Sequence, residues 1–368
     1  MKLTFVLPGY PWKPVGGFRV VYEYANHLAA RGHEVAVVHP RRLPNWEPPP
    51  ASPYRWLRRK AAHLRDWLLR PDVDWQPLDP RVRMLYVAEP TARDVPDADV
   101  IFATWWATAE AALAYPPSKG VKFYLIQHYE VWGGPKERVD ATWRAPLHKV
   151  VIARWLYEHA LDLGVPRDEV THIPNGVNHD LFRLTQPIEG RPPRIAMLFS
   201  ELPWKGATDG VRALQSVRAR HPAVEATLFG VKPRPKWLPG WIEYVANPPQ
   251  PLLVDQIYNQ SSIYLCPSWA EGWHLPPAEA MACGCAVVST DIGGVRDYCE
   301  HEKTALLSPP KDPEALAANL LRVLQDDRLR VQLAKAGHEQ IRQFTWERST
   351  DLLERFMRQR LEGRPTVE

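Results

Sequence analysis

Two kinds of apolar pattern alternate along this chain. Short continuous runs, LTFVL (3–7), EVAVV (34–38), VIFAT (100–104), FYLI (123–126) and VVI (150–152), are rich in β-branched and aromatic residues, as buried strands require. Between them apolar residues recur at helical spacing. Residues 17–31 put Val21, Tyr24 and Leu28 on one helical face, and Gly32 follows where a helix end favours a left-handed residue. The pattern predicts parallel strands covered by helices, an α/β fold. It breaks at RLTQPIEGRPP (183–193), which is polar, rich in Pro and Gly and without periodicity, and which predicts a linker. It restarts with RIAMLF (194–199), VRALQSVRAR (211–220), EATLFG (225–230), SSIYLC (261–266) and AVVST (286–290). Residues 345–361 predict a last helix with Leu352, Leu353, Phe356 and Met357 inward. The expected domains are 1–185 and 186–345, with 346–368 as a terminal helical segment. Two such domains in tandem place a cleft at the carboxyl ends of their strands, where ligands bind in sheets of this kind.

The length, 368 residues, fits two domains of ordinary size. With 45% hydrophobic and 24% charged residues the chain reads as soluble and globular. No apolar run approaches the ~20 residues that span a bilayer. MKLTFVLPGYP lacks a long apolar region and a small-residue cleavage site, so it is expected to be a first strand and the protein cytoplasmic. A net charge of +4 is mild for this length and implies no nucleic-acid partner. Cys266, Cys283, Cys285 and Cys299 lack C-x-x-C spacing and a nearby histidine pair. Reduced, buried thiols are expected, not a zinc site.

The chemistry concentrates in EGWHLPPAEAMACG (271–284). Leu275 and Pro276 predict a helix start, because proline is favoured where no N–H is needed. A helix start concentrates partial positive charge and free N–H groups, which suits a phosphate. The amides of Trp273, His274 and Leu275 can approach an anion; Pro276 and Pro277 have none to offer. Glu271 precedes the helix and Glu279 lies about one turn in, too far apart to share a metal easily. They suit two hydroxyl-bearing groups on either side of a phosphate, whereas the plain reading is two acids favouring the helix dipole.

This Glu-x7-Glu stretch resembles the donor-sugar motif of glycosyltransferase family 4, retaining enzymes with the two-domain GT-B fold. GYPWKPVGG (9–17), ARGHEV (30–35), IPNGVNHDLF (173–182), TDIGGVRDY (290–298) and KTALLSPPKDPEALA (303–317) carry the same resemblance in order along nearly the whole chain. It implies two Rossmann-like domains whose parallel sheets face a cleft, with the C-terminal helix crossing back to the first domain. By the resemblance Glu279 holds the ribose hydroxyls and Glu271 the donor sugar, roles that suit acceptor-only carboxylates. Gly16 and Gly17 let backbone approach the donor diphosphate. Lys205 neutralises that diphosphate with no metal and no other cofactor. In FSELPWKG (199–206) Ser200 stands where the family's pattern has an arginine, and an ammonium does not reproduce a guanidinium's two-pronged grip. Arg19 and Arg296 are candidate substitutes, against the plain reading of each as a solvated surface arginine.

Trp273 and His274 replace the Phe-Gly usual at this point. Trp273 suits packing or stacking on sugar or base; His274 is expected to narrow the sugar pocket or to bond a donor hydroxyl. In YLIQHYE (124–130) the family's sugar-contacting histidine falls on Gln127 or His128, with His128 preferred and Glu130 a weaker candidate for acceptor contact. The acceptor side is expected in the first domain: the 9–17 loop, Trp105–Trp106 and the 41–80 insertion. DAD (97–99) resembles a metal-binding D-x-D but sits where acids simply end a loop. In RWLRRKAAHLRDWLLR (55–70), Trp56, Leu57, Ala61, Leu64, Trp67 and Leu68 share a face ringed by six basic residues. That stretch suits either an anionic membrane surface or the cover of a domain.

The expectation is therefore a retaining, metal-independent hexosyltransferase. It would take a nucleotide diphosphate sugar and a glycan or lipid-linked acceptor, in surface polysaccharide or glycolipid synthesis, with peripheral attachment to the inner membrane face as a further expectation. A GT-B sugar epimerase, a catalytically silent donor-binding subunit and a membrane-surface interaction protein are the alternatives.

Overall fold

The computed structural model describes residues 1–43 and 73–362, with residues 54, 57, 58, 61, 64, 68 and 69 between. Most of the basic stretch 55–70 therefore lies outside the described residues. The chain divides into two compact units, Met1–Pro174 with Trp346–Glu368, and Asn175–Thr345.

Among the described residues the first unit holds seven strands: β1 (Lys2–Val6), β2 (Glu34–Pro40), β3 (Arg83–Val87), β4 (Val100–Ala103), β5 (Val121–Ile126), β6 (His148–Val151) and β7 (Val170–His172). They lie in the order β3-β2-β1-β4-β5-β6-β7, and every pairing is parallel. The central strands are buried on both faces, which is why they read as continuous apolar runs. In register, Phe5 pairs with Phe102, and the rings stack at 4.6 Å. Helices α1 (Gly16–Ala30), α2 (Trp106–Leu113), α3 (Lys136–Arg144) and α4 (Arg154–Asp162) connect the strands.

The second unit repeats the plan with β8 (Arg194–Leu198), β9 (Glu225–Gly230), β10 (Glu243–Ala246), β11 (Ile263–Cys266), β12 (Ala286–Thr290) and β13 (Ala305–Ser308). Their order is β10-β9-β8-β11-β12-β13, again parallel throughout. Its helices are α5 (Ala207–Arg220), α6 (Leu275–Ala282), α7 (Pro313–Gln325) and α8 (Asp327–Ile341). In each unit the strand order reverses beside the first strand, between β1 and β4 and between β8 and β11. Loops leaving the carboxyl ends of such strands diverge and make room for a ligand.

The last helix, α9 (Trp346–Glu362), belongs to the first unit. Trp346 meets Tyr24 edge-on at 5.3 Å, Ser349 Oγ donates to Pro174 O at 2.7 Å, and Arg31 pairs with Asp351 at 2.7 Å. Leu353, Phe356 and Met357 are buried, and Leu352 is half-buried.

Residues 183–193, expected as a linker, are instead packed into the second unit, and the passage between units falls at Pro174–Asn175. Ile188 is buried, and the buried Arg191 guanidinium donates to the carbonyls of Pro187, Gln186, Ser261 and Cys283 at 2.8–3.0 Å. One side chain thus supplies the donors that an irregular buried backbone needs.

Candidate active site

The densest functional geometry lies where β8 and β11 end. The loop after β8 closes with a short 3₁₀ turn, Pro203–Lys205, and Gly206 at φ 61° caps α5. A Cβ on Gly206 would lie 1.9 Å from Pro267 O, so only glycine lets this turn press against the loop that follows β11. The turn is latched by Trp269, whose amide donates to Trp204 O at 2.6 Å and whose Nε1 donates to Asp209 at 2.8 Å. Sequence distance separates Lys205 from Glu271, but this latch brings them together. Lys205 Nζ donates to Glu271 Oε2 at 2.9 Å and sits 2.8 Å from Oε1, the second contact being an ion pair outside hydrogen-bond alignment.

Glu271 is only 8% exposed. Burial alone would raise its pKa, but the charges of His274 and Lys205 outweigh burial and hold the carboxyl below its usual value. His274 itself is pushed down to about 4, chiefly by burial. It is neutral at pH 7, which leaves Lys205 as the counter-charge at that pH. Gly294, in TDIGGVRDY, packs directly on this residue: a Cβ there would lie 2.8–3.0 Å from Glu271 backbone and side-chain atoms. The motif signalled Gly294 only as part of a string, without showing what it touches.

Helix α6 starts at Leu275, with Pro276 and Pro277 in its first turn. Amides this early in a helix have no intrahelical acceptor. His274 is the cap residue and stands at φ 60°, ψ 83°, the left-handed region. That explains why a glycine suits this position, since a side chain there carries strain of about 1–2 kcal/mol. The His274 side chain packs inward. It is buried, with Nδ1 3.2 Å from Cys266 Sγ and Nε2 3.5 Å from Glu271 Oε1, while its carbonyl accepts from Tyr298 OH at 2.7 Å. Of its two expected roles Trp273 takes packing: its ring is 1% exposed and lies against Tyr298 and Phe344 rather than free to stack on a sugar or base.

Glu279 lies one turn into α6, buried, with Tyr258 OH 3.4 Å from Oε2. Tyr258 ends a π-helical turn, Leu253–Tyr258, a distortion that often re-aims side chains at functional sites. Sequence reading missed it, because one extra residue in a helical turn leaves no periodic trace. Ser200 Oγ accepts from the Leu202 amide at 3.4 Å and serves the local turn. Arg296 forms a two-pronged pair with Asp291 at 2.7 and 3.0 Å. All four cysteines are free and buried. Among the described residues no cluster of His, Cys, Asp and Glu has metal-binding geometry.

In the first unit, Gly16 and Gly17 open α1. The neighbour of Gly17 is Gln127, whose Nε2 donates to Gly17 O at 3.0 Å. Of the two candidates after β5, Gln127 rather than His128 therefore lies against the glycine loop. His128 turns to an aromatic group, edge-on to Trp132 at 4.3 Å and to Trp155 at 5.6 Å, with Trp105 6.3 Å from Trp132. Trp132 is 45% exposed. Gly133 and Gly134 lie flat on the indoles of Trp105 and Trp106, where a Cβ would come within 2.4–2.5 Å of a ring. Glu130 does not face an acceptor. It is buried and accepts from the Trp106 amide at 2.9 Å and Tyr124 OH at 3.1 Å, bracing the start of α2. Asp97 pairs with Lys119, and Asp99 accepts from the Lys2 amide, so DAD fastens a loop.

Residues 15–181 match the family model described as Glycosyltransferase Family 4, and residues 193–326 match Glycosyl transferases group 1. O-antigen chain mannosyltransferase B of Escherichia coli is 34% identical over 111 residues, 30% of this chain and 28% of that protein's own length. Phosphatidyl-myo-inositol mannosyltransferase of Mycolicibacterium smegmatis is 25% identical over 380 aligned positions, covering 94% of this chain and 90% of that protein. Sucrose-phosphate synthase of Thermosynechococcus elongatus superposes with a TM-score of 0.73 over 99% of this chain and 100% of its own, at 19% identity, a likeness of fold.

Proposed function

We propose, on the premise that the chain belongs to glycosyltransferase family 4 and has the GT-B fold, that it moves a hexose from a nucleotide diphosphate sugar to an acceptor hydroxyl. The acceptor is a glycan or a lipid-linked sugar of surface polysaccharide or glycolipid synthesis. That class is supported by what the similar mannosyltransferases are named for. The observation that carries the reading is the meeting of Lys205 and Glu271 at the start of α6, with Glu279 one turn further in.

In this reading Glu279, braced by the buried Tyr258, holds the ribose, and Glu271 accepts from hydroxyls of the donor sugar. Lys205 and the amides at the start of α6 stabilise the charge that develops on the leaving diphosphate. Among the described residues there is no clear protein nucleophile. The acceptor attacks from the face that the diphosphate leaves, a departing phosphate oxygen takes its proton, and configuration is retained without a metal. Trp132, exposed beside Trp105 and His128 at the carboxyl ends of β4 and β5, is the acceptor-side platform. A flat indole suits the apolar face of a sugar ring.

No helix among the described residues is long and apolar enough to cross a membrane. Leu57, Leu64 and Leu68 are more than half exposed, which supports peripheral attachment through the basic stretch 55–70.

Thermal unfolding against UDP, GDP and ADP and their hexose conjugates tests the donor reading. A matching donor raises the transition temperature as its concentration passes the dissociation constant. No shift with any nucleotide overturns the proposal. Release of free sugar or an isomerised donor without acceptor would indicate an epimerase, and binding without turnover a silent subunit.

A further inference from the structure

Two buried atoms at this site face each other without a completed hydrogen bond. Glu271 Oε1 and His274 Nε2 are 3.5 Å apart, and neither has another hydrogen-bond partner, although Lys205 lies within ion-pair distance of the carboxylate oxygen. The imidazole is held from its other edge by Cys266 Sγ and through its backbone by Tyr298. Its side chain is 4% exposed, and its backbone sits in a conformation that an L side chain adopts at a cost. A strained, buried imidazole adds nothing to the helix start that glycine would not supply more cheaply. Besides Cys266, the polar contact of the ring is with the carboxylate.

We propose that His274 is a positioning residue for Glu271, setting the carboxylate for the donor sugar while Lys205 serves the diphosphate. This rests on the donor-site reading above. Lys205 has a single ammonium, and a diphosphate is the stronger claimant on it. When Lys205 turns to phosphate, Glu271 would be left as a buried anion without a counter-charge and with Ser268 as its remaining hydrogen-bond partner, an arrangement that is strongly disfavoured. A shift of about 0.6 Å brings His274 Nε2 within hydrogen-bond reach of Oε1, and with the proton on Nε2 it donates. Cys266, with its thiol against Nδ1, fixes the ring so that only Nε2 faces the acid. His274 therefore touches neither sugar nor phosphate. It lets one carboxylate oxygen stay anchored while the other meets a sugar hydroxyl.

The test is calorimetric binding of the wild type's nucleoside diphosphate and of the corresponding nucleotide sugar to wild type, His274→Gly, His274→Gln and Glu271→Ala. For His274→Gly the nucleoside diphosphate should bind within about twofold of wild type. The nucleotide sugar should weaken about tenfold, the scale of one charge-assisted hydrogen bond. His274→Gln keeps a donor near the Nε2 position and should recover most of that loss. In turnover, kcat should fall in His274→Gly while the acceptor KM stays unchanged. Equal weakening of both ligands with no rescue by glutamine would mean that His274 only shapes the helix start, and would overturn the proposal. So would unchanged binding of both. Glu271→Ala separates the two readings. If it leaves the contribution of the sugar intact, the donor-site reading is wrong. If it removes that contribution and His274→Gly does not, the positioning role alone is wrong.

Discussion

Removing Lys205 should expose what it does for the fold as well as for a ligand. In Lys205→Ala, Glu271 stays buried but loses the counter-charge 2.8 Å from its carboxylate. Breaking a fully buried pair by deleting one partner costs about 3–5 kcal/mol. The lysine side chain here is 22% exposed against 8% for the acid, so water partly replaces it and about 2 kcal/mol is expected. For a unit the size of Asn175–Thr345 that is a loss of about 4–8 °C in its thermal transition. The pH dependence supplies the sharper check. In the wild type the Glu271 pKa is depressed, so its contribution is present above the unfolded carboxyl value of about 4.5 and is lost only as pH falls through the folded value. Without Lys205 the carboxyl loses an ion pair and a hydrogen bond that both lower its pKa, so the value rises relative to the wild type. The penalty is then full at neutral pH and fades as the acid protonates. Scanning calorimetry of both proteins at pH 7.5 and 5.5 should show the gap between them narrowing on acidification. A gap that is constant or wider at pH 5.5 would refute this account of the pair.

Burial pushes Glu130 up to about 8; its stability contribution is therefore full below the unfolded value and declines as pH rises from about 4.5 through 8. Glu130→Gln keeps both hydrogen-bond acceptor roles without titrating, so its thermal transition should gain on the wild type between pH 6 and pH 9. Trp132→Ala should raise the acceptor KM about 3–10-fold, the scale of one aromatic contact, and leave nucleotide affinity unchanged in steady-state and binding assays. Flotation with anionic vesicles should carry the wild type, and an Arg-to-Glu variant of residues 55–70 should stay behind.

The interior of both sheets was readable because β1, β4, β5, β8, β11 and β12 are buried on both faces and written as unbroken apolar runs. The four strands that the pattern does not reveal, β3, β7, β10 and β13, are the outer strands of the two sheets. An edge strand is short or half-exposed and needs no continuous apolar run, as RMLYV in β3 and EYVA in β10 show. The segment 183–193 misled for the opposite reason. Its Pro, Gly and charge look like a solvated linker, but one of its arginines enters the core and satisfies the backbone that the other residues leave irregular.

At the site, sequence spacing could place Glu271 and Glu279 about a turn of α6 because both sit on the local element that it predicts. It could not place Lys205 against Glu271, since that contact depends on Gly206, Pro267 and Trp269 locking two loops whose strands are neighbours only in space. His274 shows the limit most sharply. A histidine in a glycine position reads naturally as a side chain added to the pocket. With its backbone at positive φ, the ring is buried against Cys266 and Glu271. The substitution alters the support of the acid that the sugar would meet, so its effect on donor choice should travel through Glu271. That makes the two residues an energetic unit, and a double-mutant cycle between them should be strongly non-additive.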